Sequence, residues 1–389
     1  MSYKLNIKLY YLFNFVIYFY VWMPIWVIYF QNKGLSLSQI GILDSIGYIL
    51  MVLSEIPTGI IADKYGRKYS LFLGSLLYSL AMFGILSNIF SVWFLLGYIL
   101  WNISNTFFTG AGISILRESL INLDRLNEFP KILGRSNSVM IFSQVFASSI
   151  CSFIAMKNLE LCFMISGFVA ILGIIIPLFM KETLDKKKNS NLTYKFIVIN
   201  TLKIIKSNKN LIWLLLFSSL MSSLIFIITY TIYQPYSLEL GFSLAEISII
   251  LIIVKSISAL GGLITGIANK LININYTLVI LPLSLLLFSV LIGLSLTKYS
   301  ILLLIMVLFI FSIFSPNIDH ILNMNIEDNI RSTVLSFQGL LWTLLAMIID
   351  PLILYLAEIS TVSNSFMIVG GFTSAILIFI NFKIKNHEG

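Results

Sequence analysis

Residues 59–68 read Gly-Ile-Ile-Ala-Asp-Lys-Tyr-Gly-Arg-Lys and place four charged side chains between two long apolar stretches. Gly59 would let the end of one helix approach a neighbour closely, and Gly66 permits a tight turn. Asp63, near a helix end, can accept hydrogen bonds from the backbone N–H groups of a facing helix start. The stretch therefore predicts a short charged turn between two helices, with the aspartate holding a third.

The chain around this turn has the composition of a protein embedded in lipid. Of its 389 residues, 58% are apolar and 11% are charged, and the mean hydropathy is +0.96. A soluble chain of this length needs more charge to cover its surface. Because lipid cannot satisfy backbone polar groups, and because the apolar stretches are too long for barrel strands, each of them is predicted to be a helix. Twelve such spans are predicted, at residues 9–31, 37–61, 70–88, 92–115, 134–156, 159–180, 211–236, 245–268, 275–297, 300–322, 333–357 and 362–382.

The basic residues predict the orientation of these spans. Of the 25 Lys and Arg residues, 21 fall on the side of the two termini, and Lys33, Lys157 and Lys298 fall on the other. Lys255 lies within a span. Basic loops stay in the cytoplasm, so both termini are expected to be cytoplasmic, in a multi-pass protein of the inner membrane whose first span is retained. The net charge of +8 is then a consequence of topology, and no nucleic-acid partner is expected.

The chain also repeats itself. Gly34-Leu-Ser-Leu-Ser-Gln-Ile aligns with Gly241-Phe-Ser-Leu-Ala-Glu-Ile, and the similarity continues through the span that follows each segment. The prediction is an all-α protein of two parallel six-helix bundles, related by a pseudo-two-fold axis along the membrane normal. Its parts would be an N-terminal bundle (1–182), a polar cytoplasmic linker (183–210) and a C-terminal bundle (211–389).

The stretch 59–68 resembles the signature loop of the major facilitator superfamily, Gly-x3-Asp-(Arg/Lys)-x-Gly-Arg-(Lys/Arg). It stands where that family has it, between the second and third spans, and the preceding Glu55-Ile-Pro-Thr-Gly59 also resembles bacterial members. The resemblance implies a secondary transporter with a cytoplasmic gate, in which Asp63 meets the start of the eleventh span at Asn329–Thr333. The implied gating residues are Glu55, Gly59, Asp63, Gly66, Arg67, Lys68 and Arg331, with Glu55 placed near Arg117.

The second half carries only a degenerate copy of this loop. Asn269 stands near the position of the aspartate, so the gate is expected to be asymmetric. Gly262 and Gly266 form a Gly-x3-Gly pair, which predicts close packing of that helix against a neighbour.

Charged groups inside the spans are candidates for coupling. A buried ionisable side chain disfavours insertion by about 2.5–3.5 kcal/mol, so each is expected to have a partner or a function. We expect Lys255 to pair with a carboxylate and to couple solute movement to a proton, although a static ion pair or a charge that lines the cavity is an equally good interpretation. The candidate residues are Lys255, Asp44, Asp319 and Asp350.

The cavity of such a transporter would be lined by spans one, four, seven and ten, as the resemblance implies. These spans, with a contribution from span eleven, are rich in aromatic and amide side chains, which suits an amphipathic or uncharged organic solute. Any single aromatic residue could equally face lipid. The candidates are Asn14, Tyr18, Trp22, Trp26, Asn102, Asn105, Tyr230, Tyr233, Gln234, Asn317, Gln338 and Trp342.

Transport direction is less well indicated. Export of a drug or metabolite is expected from the resemblance, but span four lacks the internal arginine and span five the Gly-Pro run of drug–proton antiporters. Uptake of a sugar, nucleoside or peptide is one alternative, and a receptor or scaffold without transport is another. The chain has two histidines, so we expect no enzymatic activity, no cofactor and no metal. The expected partners are a small solute, a proton or other coupling ion and the bilayer, with the protein a monomer.

Overall fold

The computed structural model describes residues 2–183, 208–295, 297–326 and 331–385, and it places helices on all twelve predicted spans. The first half contains α1a (Tyr3–Ile17), α1b (Trp26–Asn32), α2 (Leu37–Tyr65), α3 (Arg67–Gly84), α4 (Val92–Ile121), α5 (Phe129–Ile154) and α6 (Glu160–Leu178). The second contains α7a (Lys209–Ile227), a π-helical segment (Ile228–Ile232), α7b (Tyr233–Glu239), α8 (Leu244–Leu271), α9 (Thr277–Leu294), α10 (Ile301–Met324), α11 (Arg331–Ile359) and α12 (Val362–Lys385). Most of the predicted linker, residues 184–207, lies outside the described residues, so its boundaries stay a prediction.

Nine helices among the described residues are long and apolar enough to cross a membrane by length and composition alone. The first, third and fourth predicted spans are not among these nine. The first is interrupted, Arg67 and Lys68 open α3, and α4 carries Asn102 and Asn105. These polar residues lower the mean hydropathy of α3 and α4. Polar residues within membrane helices usually face protein and not lipid.

The uninterrupted first span predicted at 9–31 is wrong. The helix stops after Ile17 and resumes at Trp26. Pro24 has no backbone N–H, and the N–H of Val21 donates to the Ser166 hydroxyl on α6 at 2.9 Å instead of entering a helical ladder. The break is therefore held by a tertiary hydrogen bond as well as by the proline.

The internal repeat is present in the backbone. Gly34 and Gly241, 207 residues apart, both have positive φ, of 98° and 77°. A capping box follows each. The Ser36 N–H donates to the Gln39 side chain at 3.0 Å, and the Ser243 N–H donates to the Glu246 carboxylate at 2.7 Å. The break in the first span covers residues 18–25. The same offset of 207 residues gives 225–232 in the second half, and this range contains the π segment.

Helix packing repeats as well. In the first half α3 packs on α4 and α6, and α1a packs on α4, α5 and α6. In the second half α9 packs on α10 and α12, and α7a packs on α10, α11 and α12. Each set of six helices thus has its first and third helices as the packing centres.

The chain divides into two compact units. Unit 1 comprises Met1–Leu35, Ile46–Asn189 and Ser243–Ile252, and unit 2 comprises Ser36–Ser45, Ser190–Phe242 and Ile253–Gly389. Within unit 2 the start of α2 is fixed by α11, where Glu358 accepts a hydrogen bond from the Ser38 N–H at 2.7 Å. The Ser45 hydroxyl donates to the carbonyl of Met347 at 2.8 Å. The carboxylate of Glu358 thereby caps the N-terminus of α2.

Candidate functional site

The turn between α2 and α3 is the centre of a charge network in unit 1. Arg67 lies one helical turn after Asp63, and its Nη1 is 2.7 Å from the aspartate Oδ1. Its Nη2 is 3.8 Å from Glu118 Oε1 on α4. Because Asp63 is two-thirds exposed and Glu118 mostly buried, the arginine joins an inner carboxylate to an outer one.

Glu182, just after α6, holds the start of α3. Its carboxylate accepts hydrogen bonds from the N–H groups of Arg67 at 3.1 Å and Lys68 at 3.3 Å. The next residue, Thr183, donates its hydroxyl to Glu118 at 2.5 Å. Glu182 thus caps the N-terminus of α3, a role separate from the predicted contact of Asp63 with the start of α11.

Gly66 makes the turn possible. Its φ of 122° is strained for any residue with a side chain, and the Glu182 carboxyl occupies the space that a Cβ would need. The turn predicted at Gly66 is confirmed. Glu118 and Glu182 were missed from the sequence, and the available signal for Glu182 was an acidic residue directly after the sixth span.

Other members of the predicted gating set contribute differently. A Cβ at Gly59 would meet no atom within 4 Å among the described residues, and because residues 327–330 lie outside them, the close approach predicted there stays a prediction. Glu55 and Arg117 are exposed, and neither forms an ion pair with a described residue. Residues 327–330 lie outside the described part of the chain, and Arg331 opens α11, so the predicted contact of Asp63 with Asn329–Thr333 stays a prediction.

Lys255, near the middle of α8, meets an aromatic cluster in unit 2. Its Nζ donates to the Tyr230 hydroxyl and lies 4.2 Å from the centroid of that ring. The Tyr230 ring is 4.7 Å from Phe226, which meets Trp342 of α11 edge-on at 5.1 Å. We call Phe226, Tyr230, Lys255 and Trp342 the Lys255 cluster. Among the described residues, no carboxylate forms an ion pair with Lys255.

The three candidate coupling carboxylates all belong to unit 2 but differ in exposure. Asp350 of α11 is fully buried, Asp44 of α2 is half-buried, and Asp319 of α10 is exposed. No group of three or more His, Cys, Asp or Glu side chains within the described ranges could hold a metal ion.

The cavity candidates of unit 1 are engaged in packing. Asn14 donates to the Ser136 hydroxyl at 2.7 Å and so ties α1a to α5. Trp22, in the break of the first span, donates its Nε1–H to the Tyr78 hydroxyl at 2.8 Å and meets Trp101 edge-on at 4.6 Å. Two more candidates lie nearby: Tyr18 contacts Tyr20, and Trp26 contacts Trp101. Asn102 and Asn105 donate to carbonyls of their own helix.

In unit 2, several cavity candidates also hold helices together. Gln338 of α11 donates to the Ser218 hydroxyl on α7a at 2.9 Å. Gln234 is fully buried and donates to the Tyr230 carbonyl, and Tyr233 is buried beside it. Only Tyr230 and Trp342 of this set belong to the Lys255 cluster.

Asn317 is paired where the second half has its degenerate loop. The Asn317 and Asn269 amides donate to each other at 2.8 Å, and Asn317 also donates to the buried Thr277 hydroxyl at 3.0 Å. A neutral amide pair thus stands near the position predicted for the missing aspartate. No described atom lies within 4 Å of a Cβ built at Gly262 or Gly266, whereas one at Gly261 would lie 2.8 Å from the Ser312 Cβ, so the close packing seen among the described residues is at Gly261.

Asn317→Ala is expected to lower the stability of the protein. The change removes the donor to Thr277 and leaves the Asn269 amide without its partner, a loss of about 1–3 kcal/mol. The melting temperature in detergent measures it. Asn323→Ala is the matched control on the same helix, since among the described residues Asn323 donates to the Asp319 carbonyl of its own turn. An equal fall in both variants would contradict the assignment.

Comparison with known proteins decides the family. The sequence profile of the Major Facilitator Superfamily matches residues 9–351. The chain belongs to the major facilitator superfamily. It is therefore a multi-pass membrane protein of a transporter family, not an enzyme family.

This superfamily member is similar to two curated proteins, both named uncharacterized MFS-type transporters. YxaM of Bacillus subtilis is 25% identical over 230 residues, which cover 57% of this chain and 56% of the relative. MJ1560 of Methanocaldococcus jannaschii is 27% identical over 187 residues, covering 45% of this chain and 47% of the relative. The chain thus aligns with about half the length of each.

Solved structures share its fold over nearly the whole length. A point mutant of the nucleoside transporter NupG has a TM-score of 0.81 at 17% identity and covers 98% of this chain and 100% of its own. A D-xylose-proton symporter has a TM-score of 0.73 at 13% identity, covering 97% of both chains. At this identity the likeness establishes the superfamily fold alone, and it confirms the predicted all-helical, multi-span architecture.

Proposed function

We propose that this chain is a proton-coupled secondary transporter that exports a small organic solute, a drug or metabolite, by rocker-switch alternating access. The proposal places it as a monomer in the cytoplasmic membrane, with both termini in the cytoplasm. The 21 basic residues on the side of the termini support this orientation, because positive loops are retained in the cytoplasm.

The observation that carries the coupling is the set of carboxylates within the spans. Asp44, Asp319 and Asp350 lie in membrane helices of unit 2, where an ionised group is disfavoured. A carboxylate that alternates between water and a less polar environment changes its proton affinity, which is the physical requirement for coupling. The three differ in burial: Asp350 is buried, Asp44 is half-buried and Asp319 is exposed.

The network around Arg67 supports the gate. Its arginine joins the Asp63 carboxylate to Glu118, and Glu182 fixes the helix start from which the arginine projects. Two-thirds of Asp63 remains exposed, which leaves it available to a partner. We propose that this partner is the start of α11 and that the contact forms when the cytoplasmic side closes.

Uptake is the second candidate, and a sequence feature favours it. Span four has its only arginine, Arg117, near its inner end, and α5 has no Gly-Pro run, so two features of drug–proton antiporters are missing. The fold is also shared with proteins named as a nucleoside transporter and a D-xylose-proton symporter. The direction of proton-driven flux separates export from uptake.

Purified protein in liposomes with an imposed pH gradient tests the proposal. A panel of drugs, sugars, nucleosides and peptides is followed together with a pH-sensitive dye inside the vesicles. We expect proton movement that depends on one class of solute. We also expect Asp44→Asn, Asp319→Asn or Asp350→Asn to lower gradient-driven accumulation about 5- to 150-fold, the range of typical coupling energies.

Glu128→Gln is the control for these variants, because Glu128 lies outside the predicted spans and pairs with the neighbouring Arg125. It should transport as the unaltered protein does. Normal gradient-driven accumulation in all three aspartate variants would refute proton coupling. Failure of the unaltered protein to move any solute in either direction would favour a receptor or scaffold.

A further inference from the structure

Lys255 carries a charge in the middle of a membrane helix without a carboxylate partner among the described residues. Such a charge disfavours insertion by about 2.5–3.5 kcal/mol and is normally paired. Sequence reasoning expected a carboxylate from this chain. The partner that the structure supplies is the hydroxyl and ring of Tyr230.

Tyr230 satisfies the ammonium only in part. An ammonium has three N–H donors, and a phenol hydroxyl accepts one of them. The ring face adds a weak electrostatic attraction, but neither group cancels the positive charge. Lys255 is half-buried, so the described residues do not enclose its ammonium completely. The site therefore favours an anion that brings its own negative charge.

The surroundings of the ammonium suggest what else the anion carries. Phe226 and Trp342 continue the aromatic surface from Tyr230. The ring centroids of Tyr230 and Phe226 are 4.7 Å apart, and those of Phe226 and Trp342 are 5.1 Å apart. Tyr230 lies in the π segment Ile228–Ile232, and such segments are frequent at functional sites. An apolar or aromatic body could pack on these rings while its charged end meets the lysine.

The number and type of cations limit the charge of the ligand. A single lysine is a point charge, whereas phosphate and dicarboxylate groups are typically held by arginine forks or several cations. We propose that Lys255 and Tyr230 bind the carboxylate of a monoanionic solute whose apolar or aromatic body packs against Phe226 and Trp342. This inference rests on the proposed function and names the class of solute that it transports.

Binding of acids and their amides tests the inference directly. The probes are phenylacetate, 4-phenylbutyrate and indole-3-acetate, each compared with its neutral amide by titration calorimetry on the purified protein. We expect at least one acid to bind about tenfold or more tightly than its amide, a difference of about 1.4 kcal/mol. Lys255→Met should abolish that preference, and Lys255→Arg should keep most of it.

Two further variants separate this role from a structural one. Tyr230→Phe keeps the ring and removes the hydroxyl, so it should weaken the binding of the acid more than the binding of the amide. Lys298→Met is the matched control, because Lys298 also lies over an aromatic ring, Phe242 at 5.1 Å, but outside the cluster. Its preference should equal that of the unaltered protein. Lys255→Met should fold normally, since methionine is compatible with a membrane helix.

The outcomes distinguish this inference from the function on which it rests. Equal binding of acid and amide by the unaltered protein, no binding of any acid at millimolar concentration, or an unchanged preference in Lys255→Met would overturn the anion site. Transport of other solutes would then still support the proposed function. Acid-selective binding lost in Lys255→Met, in a protein that moves no solute in liposomes, would support the site and refute transport.

Discussion

Gly97→Leu is expected to prevent the first six helices from packing. Gly97 of α4 and Gly84 of α3 meet backbone to backbone, and a Cβ at Gly97 would lie 2.7 Å from the Ile85 nitrogen and 2.8 Å from the Gly84 carbonyl carbon. A flexible side chain could move away, but these backbone atoms can do so only if α3 shifts. Overpacking typically destabilises by about 1–3 kcal/mol, and rigid neighbours place this change at or above that range.

The yield of monodisperse protein measures this effect. Size-exclusion chromatography of a fluorescent fusion should show folded Gly97→Leu protein reduced about tenfold or more, which corresponds to about 1.4 kcal/mol or more. Gly97→Ala should fall in the same direction by less, because its methyl group already occupies the disallowed position. A normal elution profile for Gly97→Leu would show that α3 and α4 can separate without loss of the fold.

Gly110→Leu is the matched control on the same helix. A Cβ at Gly110 would meet no described atom within 4 Å, so the larger side chain has room. Leucine also has a higher helix propensity than glycine by roughly 0.8–1.0 kcal/mol. This variant should elute as the unaltered protein does. A comparable loss in both variants would assign the effect to helix hydrophobicity and not to the contact of α3 with α4.

Much of the architecture could be predicted because it depends on local pattern. Span length follows from the thickness of the bilayer, and the predicted eighth span, 245–268, lies within α8 (Leu244–Leu271). The repeat could be predicted because its markers are backbone requirements. Gly34 and Gly241 are needed for positive φ, and the residues that follow them form capping boxes.

The first span shows why part of the fold could not be predicted. Hydropathy averages over about 20 residues and does not register a break that depends on Ser166, more than 140 residues away. The glycines of α8 illustrate a related limit. Spacing identifies Gly262 and Gly266, but which face of the helix meets α10 depends on its rotation, and that rotation places Gly261 in the contact.

The candidate site was predictable in residue type but not in pairing. Lys255 was identified because charge is rare in a span, yet its partner is a hydroxyl on the neighbouring helix. The start of α3 has a capping carboxylate that the sequence did not indicate. Glu182, separated from Arg67 by more than 100 residues, supplies it for α3, and no local pattern connects the two.

Arg67→Ala is expected to abolish most transport while leaving a folded protein. Arg67 is mostly buried and is the cation that joins Asp63, at 2.7 Å, to Glu118, at 3.8 Å. Among the described residues, its removal leaves the largely buried Glu118 carboxylate with the Thr183 hydroxyl as its partner, a penalty of about 1–3 kcal/mol. The proposed gate needs Asp63 to be held for its contact with the start of α11, so the loss of Arg67 should weaken the closed state, and we expect transport per folded molecule to fall about 5- to 150-fold.

Cysteine labelling tests whether the lost transport comes from the gate. Gly59 is exposed and has space for a side chain, and the two native cysteines are buried, so Gly59→Cys introduces one reactive site. In the Arg67→Ala background a hydrophilic maleimide should label that site faster than in Gly59→Cys alone, because the closed state is less populated. Arg67→Lys keeps the charge without the planar fork and should fall between the two.

Arg125→Ala is the control for Arg67→Ala, because Arg125 also pairs with a carboxylate but is not part of the proposed gate. Arg125 pairs with Glu128 at 2.6 Å, but both side chains are substantially exposed and the pair is local, three residues apart. Exposed pairs of this kind contribute little, so transport and labelling should be unchanged. If Arg67→Ala lowered only the melting temperature, with transport per folded molecule and labelling rate intact, Arg67 would hold α2, α3 and α4 together without any part in the gate.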